Sequence, residues 1–162
     1  MNETRLVEKA RQMLETVTPL KRDCGALCGA ACCKDSDDGE VLGMELFPGE
    51  KALYASKADW YKLYPAPGSC VFVCKTFCPR EQRPLACRIF PLAPYVKNGR
   101  LIVRMDPRSA PVCPLFAHGK RGLDPAFVKT VTEAMTLLWE NEAMRTYFKA
   151  LTEQIDLLTQ EL

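Results

Sequence analysis

Between Thr4 and Val17 the apolar residues fall at Leu6, Val7, Ala10, Met13, Leu14 and Val17, which is the spacing of one helical face, and Pro19 forbids a simple continuation. The pattern predicts an amphipathic helix leading into the residues that follow. After the polar run DSDDGE, the stretch VLGMELFPGEKALYAS places Pro48 well for opening a short helix. SKADWYKLYPAPG ends in a Pro/Gly turn, and GSCVFV beyond it reads as a short strand. The next stretch, CKTFCPREQRPLACRIFPL, carries three prolines and is expected to be loop-like rather than one regular element. Two apolar runs then flank Asn98-Gly99, the pair preferred by a tight hairpin turn. Asp106-Pro107 and Pro111 are expected to carry an extended segment through Cys113.

The last forty or so residues return to helical periodicity. Asp124 is a plausible N-cap with Pro125 at the first helical position, and Phe127, Val128, Val131, Ala134, Met135, Leu138 and Trp139 form one face. After Asn141 a second face follows in Met144, Tyr147, Phe148, Leu151, Ile155 and Leu158. Two helices packed on the core explain this pattern; a partner-binding helical arm is the alternative. The expected fold is therefore α+β, mainly helical, with a cysteine-rich, loop-dominated centre and a small β-hairpin. As a single domain over 1–162 it divides into an N-terminal helix (1–19), the cysteine-rich centre (20–118) and a C-terminal helical pair (123–162).

At 48% hydrophobic residues in 162, the chain can build an ordinary core without disulfides to rescue it. The N-terminal stretch alternates charge with apolar residues, unlike a secretory signal, and no segment approaches the ~20 apolar residues of a membrane span. A cytoplasmic, membrane-independent protein is the expectation. In that reducing setting, nine cysteines point to metal ligands or redox groups more than to disulfides.

The cysteines are grouped. Cys24, Cys28 and Cys32 keep three residues between them, Cys33 adjoins Cys32, Cys70, Cys74 and Cys78 repeat the same interval, and Cys87 and Cys113 follow singly. An interval of three lets sulfurs converge on one ion from a helix face or a chelating loop. The Gly and Ala between the first cysteines let backbone amides approach the sulfurs. Adjacent side chains diverge, so Cys32 and Cys33 are poor co-ligands of a single ion. Eight thiols at four per tetrahedral site make two sites possible. Cys24, Cys28 and Cys32 would then share one site with a ligand from the second cluster, and Cys33 would join the rest of Cys74, Cys78, Cys87 and Cys113. Cys70, among apolar strand residues, is assigned to the core as the spare. Ionising eight thiols around two divalent ions would move the formal net charge from +2 to about −2, so the apparent basicity is no sign of a nucleic-acid partner.

Other chemistry is sparse. His118 is the only histidine and sits in a polar Gly/Lys loop, where solvation explains it better than ligation. Arg83 and Arg88 are expected beside the cofactor, offsetting thiolate charge. The remaining basic residues form no aromatic-interleaved stripe, which argues against nucleic-acid binding, and no phosphate loop or Ser/His/Asp set is present. Spacing leaves the metal open. Zinc accepts such Cys intervals, while Cys78-Pro79 and Cys113-Pro114 suit an iron–sulfur cluster, of the 4Fe–4S type.

CGALCGAACCK followed by Cys78, Arg83-Pro84 and Cys87-Arg88-Ile89-Phe90-Pro91 resembles the YkgJ-like cysteine-cluster family of zinc- or iron-chelating domains. The resemblance runs from Cys24 to about Cys113 and leaves the C-terminal helices uncovered. It implies a metal-binding protein with a structural or redox role. Because the family includes a flagellin lysine methylase, it also implies an alternative, a protein-modifying enzyme that uses the cluster as a structural or catalytic site. No protein partner is indicated.

Overall fold

The computed structural model describes residues 1–160 apart from 23, 25–26, 28, 30–31, 33–42, 55, 57 and 76–77. Helix α1 (Glu3–Met13) starts where the Asn2 side chain accepts the Arg5 N–H, and it buries Leu6, Val7 and Ala10. It ends earlier than the apolar pattern suggests: Leu14 is already the C-cap. Strands β1 (Met44–Glu45), β2 (Tyr61–Ala66) and β3 (Ser69–Cys74) form an antiparallel sheet in the order β1-β3-β2. A 3-10 helix, Glu50–Tyr54, follows Pro48 as expected.

The proline-rich second cluster is less irregular than its sequence suggests. It contains a 3-10 turn at Arg80–Gln82 and a short helix, α2 (Leu85–Ile89), opened by Pro84. Pro84 stands at the N-cap, where its missing N–H costs nothing. Strands β4 (Leu92–Lys97) and β5 (Arg100–Met105) pair as the expected hairpin, with Asn98 and Gly99 both at positive φ. The segment through Cys113 is not extended. It coils through 3-10 turns at Pro107–Ser109, Pro114–His118 and Lys120–Gly122; proline opens the first two, and Asp106 caps the first.

Helices α3 (Pro125–Trp139) and α4 (Glu142–Gln160) complete an α+β fold, α3 with the expected Asp124 cap. The main core joins all three parts of the chain: Leu6 and Val7 from α1 with its C-cap Leu14, Leu85 and Ile89 from α2, and Phe127, Leu138 and Phe148 from α3 and α4. Each such side chain contributes ~1.5–3 kcal/mol on burial. Thr152 ties α4 to β4 by accepting the Val96 N–H at 2.8 Å. A second core cluster, around Leu46, Tyr54, Tyr61, Cys70 and Phe72, fills one face of the three-stranded sheet. No helix among the described residues is long and apolar enough to cross a membrane.

Candidate metal centre

The second cysteine cluster is fastened to the end of α1 by arginines and to the loop after β1 by a buried acid. Arg88 donates from all three guanidinium nitrogens: Nε to the Arg83 carbonyl at 2.9 Å, Nη1 to Arg11 at 3.2 Å, and Nη2 to Arg80 at 3.1 Å and Glu81 at 2.9 Å. Arg80 reaches the Glu15 and Val17 carbonyls, and Arg11 the Glu81 carbonyl. On the inner side the Glu50 carboxylate, 0% exposed, accepts the Leu85 N–H at 2.7 Å and the Phe47 N–H at 3.1 Å. Carbonyls left open at a helix end and in a turn need such donors.

This fastening brings distant cysteines together. Cys24, Cys32 and Cys87 line a cavity of about 60 Å³ between the end of α1 and α2, with Arg80, Arg83 and Arg88 in its wall. Cys24, Cys32 and Cys113 line a smaller one of about 20 Å³, whose wall is almost entirely apolar. The two adjoin, sharing Cys24, Cys32 and Phe90. Cys113 is held there by the turn before it: its N–H and that of Val112 both donate to the Ser109 carbonyl, while buried Ser109 donates to the Asp106 carbonyl at 2.6 Å. Four half-buried thiols from three separate stretches of sequence thus border one pair of cavities.

The other expected ligands lie elsewhere or outside the described residues. Cys28 and Cys33 are among the residues not described. Cys74, at the end of β3, packs with Cys70 against the second core cluster, and Cys78 is buried; neither borders the two cavities. Cys70, at 8% exposure, is a core residue of the central strand. His118 is exposed at the end of its 3-10 turn and borders neither cavity. Among the described residues, no three Cys, His, Asp or Glu side chains are grouped closely enough to hold a metal ion.

The electrostatics follow from burial. Burial pushes the Glu50 carboxyl above its ordinary range, and its two backbone hydrogen bonds and the charges of Arg11 and Arg88 pull the other way. Burial and neighbouring Arg11 lower the Arg88 pKa from its usual high value. Arg80 and Arg88 spend their donors on backbone carbonyls. One feature escaped the sequence: Glu50, which looks like any surface acid. No family model matches the chain, and no match is found among curated proteins or solved structures.

Proposed function

We propose that the chain is a cytoplasmic metal-binding protein of the YkgJ-like kind, with a thiolate centre built on Cys24, Cys32, Cys87 and Cys113. The supporting observation is the pair of adjoining cavities that these four thiols border, with Cys24 and Cys32 common to both. By residue type the donor set suits a soft-ligand metal: four sulfurs suit either an iron–sulfur cluster or zinc, and among the described residues no carboxylate or histidine lines either cavity. When bound, an iron–sulfur cluster supplies one-electron chemistry, whereas zinc in a closed four-thiolate site supplies a cross-link. An iron–sulfur cluster, 4Fe–4S in type, is the preferred occupant.

The chain's own residues have separate tasks. The thiolates carry the bonds. Arg80, Arg83 and Arg88, in the wall of the larger cavity, place positive charge where metal-bound thiolates would carry negative charge. Leu14, Val17, Phe90 and Leu115 restrict water from the two cavities.

Single substitutions test the assignment. Cys87→Ser and Cys113→Ser should each lose metal, while Cys70→Ser keeps the full complement and costs only core packing. Equal metal loss in all three variants would contradict this ligand set.

A further inference from the structure

We propose that Glu50 and Arg88 form a positioning pair that sets where Cys87 stands, an inference that rests on Cys87 being a ligand of the proposed centre. Helix α2 has five residues, too few to hold itself in water. Its own N-cap, Pro84, has no side-chain hydrogen bond to offer. The cap arrives instead from 35 residues away: Glu50 accepts the N–H of Leu85, the first residue of α2 and two before Cys87. The same carboxylate accepts the Phe47 N–H, so it joins the loop after β1 to the start of α2.

Arg88 completes the arrangement from the opposite end. It follows Cys87 directly, and its four hydrogen bonds gather carbonyls from the end of α1 and from residues 80–83. Cys87 is therefore flanked in sequence by two anchored points, a captured N–H before it and a guanidinium with every nitrogen engaged after it. A fully buried carboxylate is expensive to keep, and an apolar side chain of similar volume would fill the same space at less cost. Its two hydrogen bonds to different segments give it a use that an apolar side chain lacks: they fix the entry of α2 relative to β1.

The experiment is thiol labelling of the full-length chain as purified, with limiting iodoacetamide and initial rates read for each cysteine by mass spectrometry. Glu50→Ala, which loses both acceptors, should raise the rate at Cys87 relative to Cys113 at least about tenfold, since it leaves two buried N–H groups unsatisfied and shifts local opening by that much or more. Glu50→Gln keeps one acceptor oxygen and should restore most of the wild-type ratio, leaving a rise of about threefold. An unchanged ratio in the Ala variant, or a parallel rise at Cys87, Cys113 and Cys70, overturns the proposal. Should Glu50→Ala fail to fold, Glu50→Gln carries the test, and a ratio equal to wild type overturns it. Metal content measured on the same wild-type sample separates the two ideas: absent metal refutes the centre, whereas metal with an unmoved labelling ratio refutes only the positioning.

Discussion

Replacing Arg88 by lysine keeps the charge and removes the fork. The guanidinium makes four hydrogen bonds to carbonyls, two of them part-buried, at 2.9 Å to Arg83 and 3.2 Å to Arg11, and two exposed. A lysine ammonium is a point donor on a flexible stem and can satisfy about one of these carbonyls at a time. A hydrogen bond involving a charged group contributes ~1.5–3 kcal/mol when sheltered and less at the surface, so Arg88→Lys should cost ~2–3 kcal/mol. For a chain of this size each kcal/mol lowers Tm by about 2–4 °C, which predicts a fall of roughly 5–10 °C. Thermal unfolding followed by circular dichroism, on matched samples of wild type and variant, reads it. A fall below about 2 °C would mean that the clamp contributes no more than a solvated surface contact.

Two further outcomes follow from the same structure. Removing metal under reducing conditions should open residues 24–113 to limited proteolysis while α1, α3 and α4 keep their helicity, because the terminal helices share an apolar core that needs no ligand; identical protection with and without metal would count against the coupling. The raised Glu50 pKa fixes the sign of a pH effect: its contribution is fully present below the unfolded value of 4.5 and is lost as pH rises through the higher folded value. Measured as the Tm difference between wild type and Glu50→Gln across pH 4–7, the advantage of wild type should shrink with rising pH, and a growing advantage would contradict the assigned direction.

Much of the fold was legible because local chemistry and tertiary structure agree. Asn98-Gly99 supplies two positive-φ positions in succession, and the hairpin forms there. Asp124-Pro125 opens α3, and the apolar periodicities of α3 and α4 become their buried faces up to Ile155, beyond which the predicted Leu158 is exposed. Strand β2 was hidden by Pro65, which argues against a strand; at the sheet edge, opposite Cys70, it is tolerated because only one side needs hydrogen bonds. The coiling of residues 107–122 was hidden too, since proline-rich sequence fits 3-10 turns and extended chain alike.

The candidate centre was half legible. Spacing marked the cysteines, and the apolar strand around Cys70 set it apart; Cys70 lies in the second core cluster, and Cys78 is buried as well. Nothing local could say that Cys87 and Cys113 border the same cavities as Cys24 and Cys32, because that depends on side-chain clamps such as Arg88 reaching α1 and on Ser109 turning the chain. Glu50 was invisible for the same reason: a carboxylate reveals a structural role only through the N–H groups it meets.

The central claim is tested most directly by purifying the chain anaerobically, without chelator, and measuring iron, acid-labile sulfide and zinc per chain together with the visible absorption spectrum. A brown protein with iron and sulfide in equal amounts, bleached by Cys87→Ser, is the predicted result. A colourless protein with stoichiometric zinc would keep the thiolate centre and replace its occupant, while wild-type protein carrying neither iron nor zinc would contradict the account.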